Sequence, residues 1–346
     1  MKIAVSLRRS QARRRAVLTA LLLLAGAAWT SAETLDFEQT GTAAIERITV
    51  ESRQGNWGIV IQNKIDTEVL FTRSDRDDIS VRLTGQVQSN RRRCLPELDA
   101  ARDGSTLEIG IPTCRGPVAF LRMRGKMTLE VAVPRSWNGD YSVDASSARV
   151  SLPDGRLGTV DLEVSSGRIE VGELQADDVT LSVSSGSMEL GTVRAQQSRF
   201  EASSGGIRVE NLRGDVEVDV SSGDVRLGFA GNPGRAYVES SSGTIVIEEL
   251  DGAAEVETSS GDVRLLFARF TENSRIETSS GDVRVSLPAD SSFDLDLSTS
   301  SGNLRVEFPV TIRGDMGRDD IEGFVGDGGP ELEVETSSGD VRVIES

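Results

Sequence analysis

A short turn is written ten times in this chain of 346 residues, and its spacing restricts the fold more than any other feature. The copies read "SSAR" at Ser146, "SSGR" at Ser165, "SSGS" at Ser184, "SSGG" at Ser203 and "SSGD" at Ser221. They continue as "SSGT" at Ser241, "SSGD" at Ser259 and Ser279, "SSGN" at Ser300 and "SSGD" at Ser337. Successive steps are 19, 19, 19, 18, 20, 18, 20, 21 and 37 residues. A fixed period of this length marks stacked repeats, in which each unit buries its apolar side only against its neighbours. The last step corresponds to about two periods with one turn missing.

Within each unit the apolar residues alternate. Before Gly223, Val216, Val218 and Val220 share one face with Ser222, while Asp215, Glu217 and Asp219 take the other; after it, Val225 and Leu227 resume the apolar face. The same phase holds around Gly167 and Gly302. Alternation with period two is the mark of half-buried strands. The phase slips by one at the glycine, where a strand would bend into a corner. The expected fold is all-β: a single-stranded parallel β-solenoid, β-helix-like, built from ~19-residue units with an SSGD-type turn. Its corner glycines are Gly167, Gly186, Gly205, Gly223, Gly243, Gly261, Gly281, Gly302 and Gly339. Extending the alternation to the corner predicts an inward ladder of hydrogen-bonded serines: Ser147, Ser166, Ser185, Ser204, Ser222, Ser242, Ser260, Ser280, Ser301 and Ser338. No base accompanies them, so the ladder is read as structural and not as a row of nucleophiles.

Stacking also lines up outward charges. Arg208, Arg226, Arg264, Arg284, Arg305 and Arg342 each stand three residues after their glycine, and Asp224, Asp262, Asp282 and Asp340 one after. Diagonal Asp–Arg pairs between rungs are expected to offset like-charge stacking. On the other arm Asp144, Glu163, Glu201, Asp219, Glu239, Glu257, Glu277 and Glu335 form an acidic column. Calcium is the cation such oxygens would take. The Gly/Asp nonapeptide of calcium-binding solenoids is absent, so the column reads as a solvated face; no metal site and no cofactor are expected.

The opening "MKIAVSLRRSQARRRAVLTALLLLAGAAWTSAETL" has a basic head, an apolar run from Ala16 to Trp29 and small residues at 30–32. This is the order of a secretory signal peptide cleaved after Ala32, with an uncleaved anchor as the alternative; the apolar run is shorter than a bilayer span. No later segment is apolar enough to cross a membrane as a helix. Cys94 and Cys114 suit an oxidising compartment and are expected to form a disulfide, with two reduced, partly buried thiols as the alternative. Without the leader the chain has 32 basic and 55 acidic side chains, a net of −23, which excludes a nucleic-acid footprint. The absence of histidine removes Ser-His-Asp triads and His-bearing zinc sites.

Three regions follow: the signal peptide at 1–32, irregular β rungs and a cap at 33–136 with the disulfide, and regular solenoid repeats at 137–346. In the last, "GDMGRDDIEGFVGDGGP" at 314–330 reads as a surface loop, followed by a final C-terminal rung from Glu331 to Glu345.

"LEVAVPRSWNGDYSVDASSARVSL", the run of "SSGDVRL" units and the closing "FVGDGGPELEVETSSGDVRV" resemble the bacterial DUF4097 family, whose members carry the label adhesin on grounds of shape. The resemblance spans roughly Ile45 to Val343. It implies a β-solenoid exported to the cell envelope or surface, and it offers no catalytic residue to carry over. Two functional classes stand beside each other. The first is a non-enzymatic envelope protein: an adhesin, or a structural or partner-binding protein. It would sit in the periplasm, with the cell surface or secretion as the alternative, and its protein or glycan partner and its oligomeric state are open. The second is a polysaccharide-acting enzyme, since β-helical folds host such enzymes; Asp319 and Asp320, in the break in the pattern, are where its carboxylates would be sought.

Overall fold

The computed structural model describes residues 30–31, 35–39, 47–52, 60–89, 96–103, 105–111, 121–313 and 319–346. The expected signal peptide, Cys94 and Cys114 lie outside the described residues, apart from Thr30 and Ser31 at the leader's end. All regular structure among the described residues is β, and two compact units divide the chain at Arg135 and Ser136.

In the unit Ser136–Ser346 the chain coils as a parallel β-solenoid. Asp140–Ser151 pairs in parallel with Val160–Gln175, which pairs with Asp178–Ser204, which pairs with Ile207–Ser222. Equivalent residues meet their counterparts one unit on: Val164 faces Val183, and Gly167 faces Gly186. From Val225 onward the strands are short and break at each corner glycine. Ala236–Ser242, Ala254–Ser260 and Ser274–Ser280 stack along one arm. Val225–Gly228, Ile245–Asp251, Val263–Arg269 and Val283–Leu287 stack along the other. The alternation read from the sequence decides which side chains are inside. Val216, Val218, Val220, Val225 and Leu227 are all buried. At ~25 cal/mol per Å², a column of such side chains is the main source of the unit's stability.

The end of the stack departs from chain order. Glu331–Ser338 pairs with Ser274–Ser280 on one side and with Phe293–Ser301 on the other. Val341–Glu345 likewise lies between Val283–Leu287 and Leu304–Val306. The rung from Glu331 to Glu345 is thus last in sequence and next to last in space. The doubled final step reflects this: the chain skips one slot, builds the outermost rung, and returns to fill the gap. The return path also corrects the reading of 314–330 as loop. Asp320–Val325 is a strand, antiparallel to both Phe293–Ser301 and Val310–Ile312, and it covers one edge of the stack. Covering an edge removes a row of unpaired backbone groups. Leu304–Val306 pairs, among the described residues, only with the inserted rung; Leu304 and Val306 are half-buried where Val341 and Val343 are fully buried. Edge-to-face rings of Phe267, Phe270, Phe293 and Phe308, with centroids 5.1 to 5.9 Å apart, pack at this end of the core.

The unit Met1–Arg135 mixes parallel and antiparallel pairing. Leu121–Pro134 runs parallel to Val60–Ser74 and antiparallel to Ile79–Ser89. It therefore lies between two strands that only residues 75–78 connect. Arg47–Ser52 pairs in parallel with Thr106–Gly110, which forms an antiparallel hairpin with Asp99–Asp103.

Candidate functional site

The parts of the repeat that could meet a partner are its corners and its two outward charge columns, and the corners set the columns' positions. Gly167, Gly186, Gly205, Gly223, Gly243, Gly281 and Gly339 have φ between 127° and 154°, a region that side chains disfavour. At all nine predicted glycines a Cβ would lie within about 2 Å of the carbonyl oxygen of the neighbouring rung's corner residue. Gly205, for example, would place it 1.5 Å from the oxygen of Gly186. The glycine is needed for close approach as much as for its angle. The first corner carries Ala148, which has no positive φ.

The serine ladder is corrected. Nine of the ten serines, from Ser166 to Ser338, are exposed, and Ser147 is half-buried. The bend begins one residue earlier than the extrapolated alternation, which turns both serines of each pair to the outside. Their carbonyls do what was expected of the hydroxyls: the Gly205, Gly223 and Gly243 amides donate to the Ser222, Ser242 and Ser260 carbonyls at 2.9, 3.1 and 3.2 Å. The inward hydroxyl column lies two residues upstream, at Ser240, Thr258, Thr278, Thr336 and Thr299. In the earlier rungs that position is Val164, Val183, Ala202 and Val220. The hydroxyls of Thr258, Thr278 and Thr336 are buried without a hydrogen-bond partner. The pattern "ETSSG" against "EVSSG" was the available sign of this column.

The turn aspartates also act differently from the expected diagonal pairs. Asp224 Oδ1 accepts from the Thr244 amide at 2.9 Å, and Asp262 Oδ1 from the Asp282 amide at 3.2 Å. Asp282 Oδ1 accepts from the Asp340 amide at 2.9 Å, and Asp340 Oδ1 from the Asn303 amide at 3.1 Å. Each carboxylate latches its corner to the next rung in space. Arg264 pairs with Asp262 at 3.1 Å and Arg342 with Asp340 at 2.9 Å within their own rungs, while Arg226 reaches Glu248 of the next rung at 2.7 Å. The outermost rung has Asn303, which donates through Nδ2 to Asp340 Oδ1 at 3.0 Å. These contacts, led by the Asn303 amide, hold the Asp340 carboxyl below its ordinary value of 3.8.

Both outward columns form. Arg264, Arg284, Arg342 and Arg305 stand in register in that spatial order, and the last three line an open concavity of about 550 Å³ with Asn303, Asp340 and Glu307. Arg208 and Arg226 are in register below, separated from Arg264 by Val246. On the other arm Glu201, Asp219, Glu239, Glu257, Glu277 and Glu335 are in continuous register. Asp144 and Glu163 are in register further down, where Ser182 ends their run. The exposed Ser241, Ser259, Ser279 and Ser337 run beside the carboxylates around a concavity of about 400 Å³. Arg275 reaches Glu277 and, at 2.5 Å, Glu333. Tyr237 shows the excess of negative charge: partial burial first, then Glu239, Glu257, Glu255 and Glu217, push its phenol above 10.0. Among the described residues no group of three or more acidic, His or Cys side chains is arranged to hold a metal ion. Nor does any described helix qualify as a membrane span. Asp319 and Asp320 are exposed on the covering hairpin, where the Asp319 carbonyl accepts from the Thr299 amide at 2.8 Å.

No curated protein matches the chain. Among solved structures it is similar to a "putative cell adhesion protein" from Clostridium sporogenes, at 10% identity over 91% of this chain and 100% of that one, with a TM-score of 0.20. A "putative adhesin" from Bacteroides fragilis matches at 14% identity over 91% and 97%, with a TM-score of 0.33. Another from Parabacteroides merdae matches at 13% over 74% and 95%, with a TM-score of 0.31. The family model described as Toastrack DUF4097 matches residues 57–245 and 234–344, and with nearly all of the repeat covered the chain belongs to that family.

Proposed function

We propose that this is a non-enzymatic, exported protein of the cell envelope that works by presenting its solenoid faces to a partner. The observation that carries this reading is the register of the outward residues. From Glu201 to Glu335, consecutive rungs repeat one acidic position on a rigid backbone lattice. A face of this kind offers the same contact every rung, about 4.8 Å apart, and suits an extended protein or glycan partner. The leader and the cysteine pair support an exported location, with the periplasm preferred over the surface.

An epitope tag after Ser346 and protease treatment of intact and permeabilised cells test the location. Protection of the tag until permeabilisation is the expected result. Its loss from intact cells would move the protein outside and favour adhesion. An untagged leader still present on the purified protein, read by mass spectrometry, would overturn export by signal cleavage.

A further inference from the structure

Both units place a late strand between two earlier ones. Leu121–Pro134 lies between Val60–Ser74 and Ile79–Ser89, and Glu331–Glu345 lies between the rung ending at Leu287 and the rung beginning at Phe293. In chain order the second slot is built before its occupant exists, and both its walls offer unpaired strand edges until it is filled. Such edges are templates for any strand of the right pattern.

The slot's demands are met entirely from within the inserted segment. The Ser338 carbonyl accepts from the Gly281 amide, and the Gly339 amide donates to the Ser301 carbonyl, both at 3.0 Å. Asp340 latches to both neighbours, and Gly339 permits the close approach to the Gly281 carbonyl. None of these contacts depends on which chain supplies the segment. Val334–Arg342 is also identical over nine residues to Val256–Arg264, so the pattern the slot accepts is the repeat's own.

A hinge precedes the segment. The covering strand ends at Val325, and "GDGGP" turns the chain around the start of Phe293–Ser301 before Glu331 enters the slot. Gly326 and Gly328 have φ of 61° and 74°, so the reversal rests on glycine conformations that an extended hinge would give up. Short hinges of this kind are where elements are exchanged between copies.

We propose that the slot is a strand-acceptor site whose ligand in trans is Glu331–Glu345 of a second copy of this chain, so that copies join by exchanging their last rung. Glu277 and Glu335 are outward register partners across one wall of the slot, which makes them the probe. Full-length Glu277→Cys and Glu335→Cys proteins are unfolded, mixed, refolded together over a range of concentrations and oxidised. Linked peptides are then identified by mass spectrometry, which separates this link from any involving Cys94 or Cys114. A 277–335 link between chains, rising at least several-fold with concentration, is expected. The double variant E277C/E335C in one chain closes within the monomer at low concentration if the register is right. A double variant that closes, with mixed single variants that link no more than Glu277→Cys mixed with Glu163→Cys, overturns the exchange. A double variant that fails to close overturns the slot itself.

Discussion

At the residue scale the corner is a unit of three parts: a glycine for approach, a serine carbonyl for the neighbour's amide, and an aspartate for the next. Gly205→Ala forces a side chain into a disfavoured angle, worth about 1–3 kcal/mol, and drives a methyl onto the Gly186 carbonyl. Its denaturation midpoint should fall well below that of Ala148→Gly, which should cost only about 1 kcal/mol. The aspartate makes a pH prediction. Asp340 is held below its ordinary value of 3.8, so its carboxylate is favoured in the folded state. The stabilisation is full above the unfolded value and is lost as pH falls through the depressed folded value. The gap in thermal midpoint between the native chain and Asp340→Asn should therefore be widest near neutral pH and close as pH falls through the depressed folded value. A gap that persists in acid would mean the carboxylate charge is not what the latch uses.

At the scale of the strand, the inward hydroxyl column is the clearest departure from an apolar core. Thr258, Thr278 and Thr336 bury hydroxyls that find no partner, where earlier rungs have valine or alanine. An unsatisfied buried polar group costs about 1–3 kcal/mol, so Thr278→Val should raise stability by roughly 1 kcal/mol in urea unfolding. A loss would show that the hydroxyl has a partner, such as a bound water. Alternation and period made the strands, the corner glycines and both charge columns legible before any coordinate, because each follows from side chains pointing alternately in and out. The serines misled because a period-two count cannot say at which residue a corner begins. The aspartate latch was hidden because its partner is a backbone amide, which every rung offers alike. "SSGN" has asparagine where Asp224, Asp262, Asp282 and Asp340 latch, and among the described residues no further corner amide lies beyond it. Asn303→Asp should set two carboxylates against each other and lower the thermal midpoint, most at neutral pH and least in acid.

At the scale of the C-terminal unit, chain order and spatial order part company. The inserted rung contacts residues 58 positions earlier, as in the Asp340 amide's bond to Asp282. Such long-range pairing forms late and is internal once formed. Amide hydrogen exchange, read residue by residue under native conditions, tests it most directly. The paired amides of Glu331–Glu345 should exchange as slowly as those of Ser274–Ser280 and Val283–Leu287, and Leu304–Val306, at the outer edge, should exchange fastest of these. Rapid exchange across Glu331–Glu345, with Leu304–Val306 protected, would put the last residues of the chain at the end of the stack and contradict the insertion.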